Sequence, residues 1–197
     1  MKVGVLALQG DVPEHLRALA KVVPDTQIAP VRSPDDLAGV DALFLPGGES
    51  TTIARLLDGA RLWAPLARRL AAGFPVLATC AGMILLAKDV VPSGTGRDPP
   101  TFGVLDVRIR RNDYGSQRES FEAPVTVTGL KGSPFPGVFI RAPRILEVRP
   151  KATAIAWRGK EVVGVAQGAV WGLTFHPELA SDLRIHRRFL LREIDAH

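Results

Sequence analysis

The chain has 197 residues, 46% of them hydrophobic and 23% charged, which is enough to bury one sizeable core and ordinary for a globular protein. Its net charge of +5 and isoelectric point near 9.9 raise a nucleic-acid reading, but the basic residues are scattered, no polybasic run exists and one tyrosine is available for stacking, so that class is set aside. A single cysteine excludes an intramolecular disulfide and fits a reducing compartment.

The opening "MKVGVLALQG" stops at Gln9-Gly10, too short for a secretory leader or a bilayer span. It reads as a buried first strand, Val3–Leu8, and a cytoplasmic location is expected. Asp11 and Glu14 around Pro13 have the spacing of a capping box for a helix reaching about Val22. Gln27–Val31 is a weak second strand, and Ser33-Pro34 opens a short helix. Val40–Leu45 is a third strand closed by "PGGES", after which Ser50 or Thr51 caps a helix carrying Ile53, Leu56 and Leu57. Gly59 breaks that pattern, and Trp63–Ala72 is helical again with Gly73 in the left-handed capping role. Phe74–Thr79 is a fourth strand, leading into Cys80 and an apolar helix over Met83–Ala87. Repeated β–α units of this kind predict an α/β fold with a doubly wound, mainly parallel sheet flanked by helices.

The second half changes character. "VVPSGTGRDPPTFG" is too rich in Gly and Pro for regular structure and is expected to be a loop or lid. Extra antiparallel strands follow: Val104–Arg110, Ala123–Thr128, Val138–Arg141, and a hairpin of Ala154–Trp157 with Val162–Val165 turned at Arg158-Gly159-Lys160. Val170–Phe175 is one more strand, and Ser181 caps a last helix with Leu183, Phe189, Leu190 and Ile194 inward. There is no internal repeat or linker, so a single domain, 1–197, is expected.

In parallel α/β sheets, sites form beyond the carboxyl ends of strands, and Gln9-Gly10, Pro46-Gly47-Gly48 and Cys80 all fall there. Cys80 sits between Ala78 and Gly82 at a strand-to-helix turn, where a nucleophile needs small neighbours because its backbone is strained. The helix N-terminus behind it favours thiolate over thiol. Taken alone, such a cysteine is equally a small buried hydrophobe. "WGLTFHPELA" supplies a partner: His176 precedes proline, which favours extended backbone, and in extended chain His176 and Glu178 project to one face. The three residues then fit nucleophile, base and orienter. The remaining histidines are read as ordinary, His15 and His186 on polar helix faces and His197 at the terminus. Oxyanion donors are sought at Ala81 and in the Gly47-Gly48 turn. Lone cysteine and scattered histidines offer no metal-ligand spacing.

"LPGGEST", "TCAGMILLA" and "FHPEL", in that order, resemble the class I (triad) glutamine amidotransferases. "LALQGDVPEH", "RNDYGSQRESFE" and "GVFIRAP" are similar, more narrowly, to the glutaminase subunits of pyridoxal 5′-phosphate synthase, the PdxT/YaaE type. One departure is Ala78, where many amidotransferases carry glycine; alanine is small enough to serve. The resemblance implies hydrolysis of L-glutamine to glutamate and ammonia through a thioester. In it, Cys80 is the nucleophile, His176 the acid/base and Glu178 the orienter. It further implies that Gly47, Gly48, Glu49, Ser50 and Ala81 hold glutamine and its oxyanion, and that Arg111, Ile140 and Arg141 line the pocket. No metal or organic cofactor is implied. The implied partner is a PdxS-type synthase subunit in a large hetero-oligomer, a double ring with twelve copies of each chain, with neither nucleic acid nor membrane involved. A different cysteine enzyme on a similar sheet, or a non-catalytic subunit on this scaffold, are the rival readings. The first is disfavoured by "FHPEL" and "PGGES" at their strand ends, the second by an unbroken triad.

Overall fold

The computed structural model describes residues 1–91, 98–111 and 120–194. Part of the expected Gly/Pro-rich loop (92–97), the basic segment after Arg111 with Arg118, and His197 lie outside the described residues. In chain order the first half contains β1 (Val3–Leu6), α1 (Val12–Ala20), β2 (Ile28–Val31), α2 (Pro34–Ala38), β3 (Ala42–Leu45), α3 (Ser50–Gly59), α4 (Trp63–Ala71), β4 (Val76–Thr79) and α5 (Ala81–Leu86). The second contains β5 (Ala87–Val91), β6 (Leu105–Arg110), β7 (Phe121–Val127), β8 (Phe135–Phe139), β9 (Arg144–Val148), β10 (Thr153–Arg158), β11 (Glu161–Gln167), β12 (Val170–Leu173) and α6 (Arg184–Ile194).

The strands form one large sheet in the order β2-β1-β3-β4-β12-β11-β10-β7-β8 and a small one, β5-β6-β9. The first five of the large sheet are parallel, and the last four continue it antiparallel. Strands β1, β3, β4 and β12 are buried along their whole length, which explains their near-continuous apolar runs. Along β3, Leu43 and Leu45 join one core cluster with Ile53, Leu57, Leu66 and Leu85 of α3, α4 and α5. Ala42 and Phe44 join the other with Leu19 of α1 and Phe189 of α6. Helices therefore cover both faces, the expected α/β architecture.

Local chemistry sets several element ends. Ser33 and Asp36 cap α2 reciprocally, Asp36 N–H donating to Ser33 Oγ at 3.2 Å and Ser33 N–H to Asp36 Oδ2 at 2.9 Å. Gly73, at φ +84°, ends α4 with its own N–H on Leu70 O and the Phe74 N–H on Arg69 O, the paired bonds of a left-handed cap. Three expected caps are absent, those of α1, α3 and α6. Asp11 makes no side-chain cap for α1, because its carboxylate turns toward His176 and Glu14 pairs with Arg17 instead. Helix α3 starts at Ser50 itself with Glu49 as the flanking residue, and Leu56 stands exposed while Ala54 takes the inward place.

Other expectations shift. Apolar residues 83–86 belong to α5, but Ala87 already begins β5, a strand the sequence reading assigned partly to helix and partly to loop. Strand β8 lies at Phe135–Phe139, earlier than Val138–Arg141, and tolerates Pro136 because it is a sheet edge. Strand β9 was not anticipated. Before α6, Asp182 Oδ1 and not Ser181 accepts the Arg184 N–H, at 2.9 Å. Ile185 and His186 face inward with Phe189 and Leu190, whereas Leu183 is only partly buried.

Candidate active site

The carboxyl ends of β1, β3, β4 and β12 converge, and each contributes one part of the site. At the end of β4, Cys80 adopts φ 46° and ψ −105°, a conformation rare for a residue with a side chain and costing about 1–3 kcal/mol. Its N–H donates to Leu173 O of β12 at 2.8 Å, which fixes the turn against the neighbouring strand. A Cβ on Gly82 would overlap the carbonyl of Leu45, so glycine at this position lets α5 start tight against β3. Cys80 is 6% exposed, and its Sγ lies 3.8 Å from the carbonyl of Ile140.

Beyond β12, the His176 N–H donates to Val138 O of β8 at 2.8 Å. The chain then makes a 3-10 turn over Pro177–Leu179, so Glu178 reaches His176 from within that turn and not by the strand alternation expected. His176 Nδ1 lies 2.8 Å from Glu178 Oε1 and 3.2 Å from Asp11 Oδ2. Its Nε2 is buried with no hydrogen-bond partner among the described residues, open to a thiol proton. Burial opposes the charged imidazolium, but the Asp11 and Glu178 carboxylates at Nδ1, together with the neighbouring Cys80 sulfur, outweigh it and raise His176 well above its ordinary value. Burial likewise opposes the Glu178 carboxylate, yet His15 and His176 hold it ionised, with its pKa down to about 2. Asp11, His176 and Glu178 bring their ligand atoms within 4.8 Å of one another, but Nδ1 is occupied by the short bond to Glu178, an acid/base relay more than an open metal site.

The reading of His15 and His186 as surface histidines is wrong. Both are fully buried, His15 on the inner face of α1 and His186 on that of α6. His186 stacks on Phe44 at 5.5 Å between ring centroids. Their register explains this: His15 is three and four residues before Ala18 and Leu19, and His186 three and four before Phe189 and Leu190, all buried.

A cavity of about 190 Å³ opens onto Cys80 and His176. Of the sequence-predicted residues, Gly48, Glu49, Ser50, Arg111, Ile140 and Arg141 line it. Gly47 and Ala81 do not, but both adjoin it: a Cβ on Gly47 would overlap His176 Cε1, and Ala81 follows Cys80. Asp11 and Ile84 line it unanticipated. The signal for Asp11 was its place just past the end of β1, which the capping pattern obscured. Loops β1–α1 and β3–α3 are laced together, Asp11 N–H donating to Gly47 O at 3.1 Å and Glu49 N–H to Gln9 Oε1 at 2.9 Å. Gly10, at φ +99°, is needed because any Cβ there would overlap the Gly47 carbonyl. Both cavity arginines are paired, Arg111 with Asp98 at 3.3 Å and Arg141 with Glu49 at 3.0 Å. A thiol, an imidazole and an orienting carboxylate in a cavity with guanidinium groups can carry acyl transfer on a small carboxylate-bearing substrate.

Residues 5–195 match the model of the SNO glutamine amidotransferase family. The chain is 50% identical over 194 residues to "Pyridoxal 5′-phosphate synthase subunit PdxT" of Acidothermus cellulolyticus, covering 96% of this chain and 92% of that one. It is 47% identical over 199 residues to the protein of the same name from Pyrococcus horikoshii, covering 98% and 100%. A solved structure described as a glutamine amidotransferase superposes with a TM-score of 0.88 at 41% identity, covering 98% of this chain and 99% of that one.

Proposed function

The chain belongs to the SNO glutamine amidotransferase family, and from that membership we propose that it is the glutaminase subunit of a pyridoxal 5′-phosphate synthase, releasing ammonia from L-glutamine for a partner subunit. The observation that carries the reading is the buried His176–Glu178 pair, 2.8 Å apart, set beside the strained Cys80 turn at one cavity. The thiol proton passes to His176 Nε2 and the sulfur attacks the side-chain amide carbon of glutamine. Glu178 holds Nδ1–H and offsets the positive charge the ring acquires. As the C–N bond breaks, His176 returns that proton to the leaving nitrogen, giving ammonia and a thioester on Cys80. A water then loses a proton to His176 and attacks the thioester carbon. Glutamate leaves as the proton goes back to sulfur.

Support for glutamine as substrate is the family, together with paired arginines and the Gly48–Ser50 segment at the cavity wall. Main-chain N–H groups of Ala81 and the Gly47-Gly48 turn are the proposed oxyanion donors. The proposed partner is a PdxS-type synthase subunit in a large hetero-oligomer, twelve of each chain, in the cytoplasm. Among the described residues no helix is long and apolar enough to cross a membrane.

Ammonia release from glutamine by the chain with its synthase tests the proposal. Cys80→Ala is expected to abolish release with the fold intact, and His176→Asn to come close to that. Glu178→Gln is expected to keep part of the activity, because orientation survives loss of charge. A glutamine-like electrophile should attach to Cys80. Full activity in Cys80→Ala would defeat the reading.

A further inference from the structure

The triad carboxylate does not stand alone against the core. Glu178 Oε1, the oxygen that holds His176, also faces two groups from other elements. The Thr79 hydroxyl donates to it at 3.4 Å, and His15 Nε2 lies 3.6 Å away. His15 Nε2 is itself 3.3 Å from Thr79 Oγ1. Thr79 immediately precedes Cys80, so this triangle joins α1, the end of β4 and the His176–Glu178 turn.

Its chemistry is specific. A carboxylate buried without donors would protonate or force the site open. His15 is itself fully buried, beside Phe44 at 5.7 Å and His186 at 6.1 Å between ring centroids, an environment that favours the neutral ring. Burial accordingly lowers its pKa. A neutral imidazole has one N–H to place. Nδ1 has no partner among the described residues, whereas Nε2 faces Glu178 and Thr79, so the proton belongs on Nε2. The same helix face carries Asp11, one turn earlier, 3.2 Å from His176 Nδ1. Helix α1 thus bears on both members of the acid/base pair.

We propose that His15 is a positioning residue for the reaction: its Nε2–H, donated to Thr79 Oγ1, holds the Thr79 hydroxyl on Glu178 Oε1 and so fixes and keeps ionised the carboxylate that orients His176; this rests on the glutaminase reading above. His186 is the internal control. It is equally buried and adjacent, but neither of its ring nitrogens has a partner among the described residues.

The test is steady-state glutaminase kinetics of the full chain in complex with its synthase, normalised to the fraction of Cys80 labelled by a glutamine-like electrophile. His15→Phe is expected to lower kcat about tenfold or more, the usual cost of losing a group that orients a reacting one, with KM little changed. His15→Gln, whose amide N–H reaches the place of Nε2, should recover most of the loss. The shorter His15→Asn should not. In a Glu178→Gln background, His15→Phe should cost less than about twofold more, because its route of action is already broken. His186→Phe should leave kcat unchanged. Normal kcat in His15→Phe, an equal loss in both backgrounds, or recovery by Asn as fully as by Gln would overturn the proposal. If His15→Phe does not fold, the contrast of Gln with Asn decides. A parent complex that releases no ammonia would instead defeat the functional reading and leave no glutaminase kinetics to interpret.

Discussion

Three buried histidines near Cys80 (His15, His176 and His186) are shifted in opposite directions. Burial drives His186 down to about 4, below an ordinary 6.5, and lowers His15 in the same direction. His176 goes the other way because two carboxylates, Asp11 and Glu178, face its Nδ1 and outweigh its burial. The consequences for stability have opposite signs. Between about 6.5 and about 4 the unfolded chain binds more protons at position 186 than the folded one, so stability falls as pH drops through that window. Glu178 extends the loss from its ordinary 4.5 down to about 2. The His176 contribution is instead complete below the unfolded value and is lost as pH rises through its folded value. His186→Phe, which keeps an aromatic ring on Phe44, should therefore flatten the decline of melting temperature between pH 6.5 and 4. An unchanged slope would mean that His186 is not a source of acid sensitivity. The same residues mark where sequence reading reached and where it stopped. Cys80, His176 and Glu178 were legible because strand-end turns and a His-Pro-Glu run point to chemistry locally. His15 and His186 are not legible, because a histidine's polarity argues for a solvent face while its register with Ala18-Leu19 or Phe189-Leu190 argues for a buried one, and only the fold, bringing α1 and α6 onto the face of β3, decides.

Among the elements, legibility followed punctuation. The central parallel strands β1, β3, β4 and β12 are short buried runs bounded by Gly, Pro or capping residues, and their positions are legible to within two residues at each end. Strand β5 was missed because it follows α5 with no breaker, Ala87 passing directly into extended backbone at φ −65° and ψ 145°. Strand β9 was missed because only Ile145 of its five residues is buried, too little alternation to see. Caps were legible when their side chains had no other employment. Ser33 serves only the start of α2, with Asp36 answering it, whereas Asp11 is drawn to His176. This difference is testable. Ser33→Ala removes a reciprocal cap far from Cys80 in chain and function, at a cost of about 1 kcal/mol. For a domain of this size that corresponds to a melting temperature lower by about 2–4 °C. Calorimetry should show that drop while glutaminase kcat stays at the parent value. A fall in kcat would reveal that α2 supports the site after all.

Taken whole, the molecule builds its cavity where the carboxyl ends of β1, β3, β4 and β12 converge, and part of the closure is main chain. The Gly47 carbonyl is held by the Asp11 N–H, and Glu49 N–H by the Gln9 side chain, so the orientation of the turn proposed to hold glutamine depends on the β1–α1 loop. Glu49 and Arg141 pair beside that turn with side chains 49% and 41% exposed, within reach of another protein. A surface bound there could reorient the Gly47-Gly48 peptide without touching Cys80. The product supplies the reason for such control. Ammonia is mostly protonated at neutral pH and useless as a nucleophile once it escapes, so hydrolysis without a receiver wastes glutamine. The isolated chain is therefore expected to be a poor glutaminase whose turnover rises at least several-fold when its synthase is added. Charge reversal at Asp11 is not a clean probe of docking, since that carboxylate is 3.2 Å from His176 and would disturb the chemistry directly. Titrating synthase against a fixed amount of chain at saturating glutamine is the decisive measurement. A gain in kcat that saturates at a fixed ratio of the two chains fits a partner that completes the turn. Turnover that stays level across the titration would mean that the turn is already competent, and that the β1–α1 loop holds the active arrangement instead of a resting one.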